Sequence, residues 1–186
     1  MEDIRMANPQ LVEYFSRPYF VYIKGNHDII NNEGVDSHLI VNSSGQTIYL
    51  EHGHKADWLN GTAVGRSISK IFLNFLKKLS NSKLLLNLYF KIVELDDQVN
   101  HIPKKYNSYK YLTYSLRLLK QYDVVILAHT HKLETHHTYY LSKKKRYLNC
   151  GSCSLGRFQA IIMDTETLQY DLIKTKDFGF NMIRKH

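Results

Sequence analysis

Three β-rich runs each end abruptly on a histidine-bearing segment, and this repeated junction constrains the chain more than any other feature of its 186 residues. Tyr19-Phe20-Val21-Tyr22-Ile23 leads into Gly25-Asn26-His27-Asp28. Thr47-Ile48-Tyr49-Leu50 leads into Glu51-His52-Gly53-His54, and Val124-Val125-Ile126-Leu127 into Ala128-His129-Thr130-His131. Aromatic and branched residues at this density favour buried extended backbone. Open α/β sheets bind their ligands beyond the carboxyl ends of the strands. Of the 10 histidines, 5 fall in these three clusters, a grouping that structural histidines have no reason to adopt.

Imidazole nitrogen and amide oxygen both suit a borderline divalent metal. A single His-x-His occurs easily by chance. Two of them, each placed after a strand, with Gly-Asn-His-Asp after a third, point to a metal site at one end of a sheet.

The rest of the chain can be organised around these strands. Asn8-Pro9 is a helix start, a capping side chain followed by proline at the first helical position, and predicts a short helix over 9–17. Between the second and third strands, Ser67 can cap a helix whose apolar face is Ile68, Ile71, Phe72, Phe75, Leu76 and Leu79. Leu84 to Leu95 is apolar on most sides but too short to span a bilayer. A further helix is expected over 108–121. Together these form a helical insertion over 57–121, read as a cap above the metal-binding end or as crossovers on one sheet face. From Thr135 onward strands take over. Lys143-Lys144-Lys145-Arg146 reads as a charged hairpin tip. Phe158–Met163 and Leu168–Ile173 flank Asp164-Thr165-Glu166 as a hairpin in a second, antiparallel sheet.

Charge is concentrated in the insertion. The formal net charge is +8, and from Asp57 to Lys120 there are 11 Lys/Arg against 4 Asp/Glu. Such a segment can attract a phosphate-bearing substrate, an anionic membrane surface or, ranking below these, nucleic acid; a solvated helical face gives the same count. The first residues lack the basic end and apolar run of a signal peptide, so a cytoplasmic location is the default expectation. Cys150 and Cys153 form one C-x-x-C among Gly151, Ser152, Ser154 and Gly156. That setting favours a tight turn over a redox pair, and the two further ligands of a zinc site are missing nearby.

Gly25-Asn26-His27-Asp28, His52-Gly53-His54 and Ala128-His129-Thr130-His131 resemble the last three motif blocks of the calcineurin-like metallophosphoesterases. Tyr147-Leu148-Asn149-Cys150-Gly151-Ser152 resembles the strand and loop that follow in bacterial members. Ala128 stands where the family usually has glycine. The resemblance spans about residues 9–175 and implies an α/β fold, a four-layer α/β-β/α sandwich with two divalent ions, commonly manganese, iron or zinc. It implies that Asn26, His52 and His129 ligate one ion and His131 the other. His27 would contact the phosphate and protonate the leaving oxygen, Asp28 would orient that imidazole, and His54 would touch substrate. Two such ions clamp a phosphate and acidify a water for in-line attack.

The family's aspartate-x-histidine and glycine-aspartate blocks should precede residue 19, and nothing in the first 18 residues fits them. Asp36-Ser37-His38 has the letters but lies downstream of Asn26. The expectation is therefore a single, N-terminally truncated domain over 1–186, with at most one metal well held and hydrolysis of a phosphoester or pyrophosphate impaired. The helical insertion after His-Gly-His resembles that of the UDP-diacylglucosamine-hydrolase branch, which implies a lipid-linked substrate. A non-catalytic remnant that binds metal or phosphate, and a basic binder of membranes or nucleic acid, are the competing readings.

Overall fold

A computed structural model describes residues 8–26, 34–57, 105–153 and 157–175, with isolated positions at 64, 65, 67, 71 and 91. Helix α1 spans Pro9–Phe15. Strands β1 (Ser37–Val41) and β2 (Thr47–Glu51) follow, then a single 3-10 turn at His54–Ala56. Helix α2 covers Lys105–Leu118. Five strands complete the order: β3 (Val124–Leu127), β4 (Leu133–Tyr140), β5 (Lys143–Cys150), β6 (Phe158–Met163) and β7 (Tyr170–Thr175).

The main sheet is mixed, in the order β1-β2-β3-β5-β4. Its three central strands, β2, β3 and β5, are parallel, and both outer strands pair antiparallel. Parallel strands are covered on both faces, so their residues alternate between two cores. Val124 and Leu148 face one side with Ile48 and Leu168, and Ile161, Met163 and Tyr170 of the β6–β7 hairpin pack there. Val125 and Tyr147 face the other side with Leu119 and Leu127, against Leu112, Tyr114 and Leu118. The described architecture is thus α/β: helix α2, the five-stranded sheet, then the two-stranded antiparallel sheet.

Helix α2 docks through positions four apart. Tyr111, Ser115 and Leu119 are all buried, as the helical period requires. The helix begins at Lys105, three residues before the expected Ser108. The isolated positions 64, 65, 67, 71 and 91 are helical; the remainder of 58–104 lies outside the described residues, including most of the Leu84–Leu95 run.

Three local expectations are corrected. Helix α1 stops at Phe15 rather than residue 17, where Ser16 turns its hydroxyl back onto the Val12 carbonyl at 2.7 Å, and Asn8 makes no side-chain cap bond. The run from Tyr19 to Ile23 is not a buried strand. Tyr19, Val21 and Tyr22 are exposed, and pairing is limited to the parallel bridge Ile23↔Val35. The central sheet positions are filled by β2, β3 and β5, and among the described residues the run has Val35 alone as a strand-pairing partner.

The third correction is the charged hairpin tip. The β4–β5 turn is Leu141-Ser142, both with positive φ (49° and 63°), the conformation whose twist suits a two-residue hairpin. Lys143–Arg146 therefore lies within β5, and Lys145 is buried. Its ammonium reaches Asp123 Oδ1 at 2.9 Å and the Tyr122 carbonyl at 3.1 Å. The ion pair holds Lys145 inside, where four consecutive basic letters suggested solvent.

Candidate functional site

The parallel register brings the second and third histidine clusters together. Leu50 pairs with Ile126, so His52 and Ala128 emerge side by side from β2 and β3. The Ala128 amide donates to the His52 carbonyl at 3.2 Å, carrying the ladder past both strand ends. The rings of His52 and His129 then meet edge to face, centroids 4.9 Å apart. His54 folds back on the same spot, its ring 5.3 Å from that of His52 and its Nδ1 3.3 Å from His52 Nδ1. One of those two nitrogens must carry the proton, so the pair holds complementary tautomers.

The loops that make this convergence possible are strained. His129 and His131 have φ of 67° and 56°, a left-handed conformation that costs a non-glycine residue roughly 1–3 kcal/mol. Gly53 between His52 and His54 sits at φ 91°, which a side chain rarely adopts. The third parallel strand supports the arrangement: the fully buried Asn149 of β5 donates to the Ala128 carbonyl at 2.7 Å and accepts from the Gly151 amide at 3.1 Å. Strain of this kind persists only where surrounding bonds over-determine the backbone.

Two carboxylates absent from the sequence-level site border the histidines. Asp57 Oδ2 lies 3.0 Å from His129 Nε2 and accepts the Tyr111 hydroxyl at 2.8 Å, while Lys110 pairs with its other oxygen. Burial pushes the Asp57 pKa up, but the bonds from Lys110, Tyr111 and His129 outweigh it and hold the value at about 2. Glu51, buried one residue before His52, accepts the Tyr114 hydroxyl at 2.7 Å and the Tyr49 hydroxyl at 2.8 Å. Tyr111 and Tyr114 lie three apart on α2, so one helix face grips both carboxylates. Burial, then the adjacent carboxylate, raises the pKa of each of these tyrosines. Burial, followed by the charge of His129, lowers that of His54. A carboxylate three residues beyond His54, and a Lys-Tyr pair on the helix, were the sequence signals for this second tier.

The remaining sequence-level site residues are placed as follows. His131 is half-buried two residues beyond His129, with its Nδ1 screened from solvent. Asn26 is half-buried at the end of the Ile23 segment. Ile23 itself lines a cavity of about 400 Å³ together with His52, Ala128, Cys150 and Gln159. His27 and Asp28 lie outside the described residues. Cys150 and Cys153 are free thiols at a tight turn; burial raises the pKa of Cys150, and Cys153 is exposed, donating to the Gln159 carbonyl at 3.3 Å.

Imidazoles beside a carboxylate are the donor chemistry of a borderline divalent ion. Among the described residues no group of three or more His, Cys, Asp or Glu side chains is arranged to hold one. His52 and His129 are thus a partial donor set of fitting type, which an ion would have to complete with further groups. No helix among the described residues is long and apolar enough to cross a membrane. Comparison with protein-family models finds no match to this chain, and comparison with curated proteins finds none.

Proposed function

We propose that the chain carries the histidine half of a metal-dependent phosphoesterase site of the calcineurin-like type, acting on a phosphoester or pyrophosphate bond. The observation that carries this reading is the convergence of His52 and His129, 4.9 Å apart, from the carboxyl ends of adjacent parallel strands. The strained loop backbone at His129 and His131 supports it, because such strain clusters at functional sites. The layering of α2, mixed sheet and antiparallel hairpin is compatible with the larger part of a four-layer sandwich.

Divalent manganese, iron or zinc, when bound, supplies Lewis acidity toward a phosphoryl oxygen and an attacking water. In the reading proposed here His52, His129 and Asn26 would hold one ion and His131 a second. His54, buried against His52, flanks the substrate. Lys110, paired with Asp57 at the mouth of the cluster, adds positive charge where negative charge grows on the phosphoryl group. His27 with Asp28 is assigned proton delivery to the leaving oxygen on the motif alone. The substrate is a phosphate-containing small molecule or a lipid-linked phosphate, the latter on the apolar and basic sequence of the insertion.

The test is hydrolysis of bis-p-nitrophenyl phosphate and p-nitrophenyl phosphate by the full chain with manganese, iron(II) or zinc. Turnover that falls at least about 100-fold in both His52→Ala and His129→Ala supports the reading, since a ligand loss removes the metal's contribution. Metal binding by calorimetry without turnover makes the chain a non-catalytic binder. Absence of both, under every metal, removes the proposal.

A further inference from the structure

We propose that Asp57 is the positioning residue of His129, fixing the imidazole with its proton on Nε2 so that Nδ1 presents the lone pair to the cluster. The inference rests on the metal-site reading above for its purpose, but its geometry stands independently.

Asp57 Oδ2 receives two groups at hydrogen-bond distance, the Tyr111 hydroxyl at 2.8 Å and His129 Nε2 at 3.0 Å, while Oδ1 takes the Lys110 ammonium. A phenol and an ammonium can only donate to such a carboxylate. The carboxylate is therefore an acceptor, and a bare Nε2 lone pair at 3.0 Å would face another lone pair. A proton on Nε2 turns that contact into a bond, and in the neutral ring that is the Nε2–H tautomer. Tyr111 is 2 % exposed and its ring lies 5.5 Å from that of His129, so the imidazole has aromatic walls in Tyr111 and His52. The His129 backbone is left-handed (φ 67°), and its side chain meets Asp57 and the Tyr111 ring of α2.

A histidine that ligates a metal generally gives its other ring N–H to a carboxylate or carbonyl, which sets tautomer and ring plane. Asp57 supplies that partner from the loop after β2, and α2 supplies the two donors that hold Asp57. Helix α2 thereby reaches the nitrogen assigned to the metal through two hydrogen bonds, by way of Asp57, as well as through the Tyr111 ring.

Long-range 1H–15N spectra of histidine side chains, recorded on the metal-free full chain at about pH 8 where free imidazole is neutral, read the tautomer directly. His129, assigned by its loss in His129→Ala, is expected with protonated Nε2 and bare Nδ1. Asp57→Ala should give a mixture of tautomers, whereas Tyr111→Phe, which leaves the carboxylate, should keep Nε2–H. Manganese affinity should fall about 10–100-fold in Asp57→Ala and less in Asp57→Glu. A proton on Nδ1 of His129 in the unaltered chain overturns the inference, whether or not the variants fold. So does an unchanged tautomer in a folded Asp57→Ala. A chain with the Nε2–H tautomer that binds no manganese keeps the positioning contact and sinks the metal reading instead.

Discussion

Tyr114 on α2 donates its hydroxyl to Glu51 at the end of β2, 2.7 Å away across 63 residues of sequence. Glu51 is 4 % exposed and also accepts from Tyr49, so a buried carboxylate next to His52 in sequence has two phenols and, at 3.4 Å, the Lys55 ammonium as its partners. Removing the carboxylate takes an acceptor from each of two half-buried phenols, Tyr49 keeping its bond to Ser37, and an unsatisfied desolvated polar group costs more than a hydrogen bond contributes. Glu51→Ala should lower stability by about 3 kcal/mol in urea denaturation, and Tyr114→Phe by about 1–2 kcal/mol. Equal effects from the two would contradict Glu51's role as the shared acceptor.

Lys145 and Lys144 are neighbours in sequence with opposite fates. Lys144 is exposed on β5, and Lys145 is buried against Asp123. Lys145→Ala leaves that carboxylate without its cation, a loss of about 3 kcal/mol, while Lys144→Ala should stay within about 0.5 kcal/mol. Thermal unfolding of the two variants distinguishes the strand placement from a solvent-exposed basic tip, which would make them alike.

The same carboxylate predicts acid sensitivity. Burial raises the Asp123 pKa, but the Lys145 ammonium and the Thr47 amide and hydroxyl, at 2.9 and 3.0 Å, bring it below its ordinary value of 3.8. A folded-state pKa below the unfolded one contributes stability that is fully present above the unfolded value and is lost as pH falls through the folded one. Stability should therefore decline below about pH 4, and Asp123→Asn should be less stable at pH 7 but lose less on acidification. At the other extreme, burial raises the Tyr49 pKa to about 12. The sign reverses for a raised group, so its contribution is present below pH 10 and disappears between pH 10 and about 12.

Gly151 follows β5 with φ 74°, and a Cβ there would collide with the side chain of Gln159 on β6. The Ser152 amide already bonds Gln159 Oε1 at 3.0 Å, which leaves that side chain little room to withdraw. Gly151→Ala should cost about 2 kcal/mol or more from backbone strain and displacement together. Gly45, at φ 74° with nothing near its absent side chain, should cost only about 1 kcal/mol on the same change. Chemical denaturation of both variants separates crowding from φ alone.

The two thiols should differ in alkylation. Cys153 is exposed, whereas Cys150 is shielded and its pKa is raised by burial. Iodoacetamide near neutral pH should modify Cys153 first, followed by mass spectrometry of the digested chain. Simultaneous labelling of both would show that the end of β5 is open.

Sequence reading located the strands that carry the site because parallel strands buried on both faces are written as unbroken apolar runs. Val124–Leu127 was legible to the residue, and β2 extended only to Glu51 beyond its expected end. The same rule failed for Tyr19–Ile23, whose composition is that of a strand but which, among the described residues, forms a single bridge, to Val35. It failed again at Lys143–Arg146, where four charges concealed a strand whose third residue is paired inside. Composition records what a segment can do, and pairing partners decide whether it does.

The histidine clusters were likewise legible as letters, and their meeting was not. Spacing within His52-Gly53-His54 and His129-Thr130-His131 marked candidate ligands, because strand-end placement and donor type are local properties. That His52 and His129 face each other depends on the parallel register of strands 76 residues apart, Ile48 against Val124. That Asp57 holds His129, and that Tyr111 and Tyr114 hold Asp57 and Glu51, depends on where α2 docks on the sheet. Local chemistry is written along the chain, whereas the partner of a buried carboxylate is chosen by packing, which acts between segments the sequence leaves far apart.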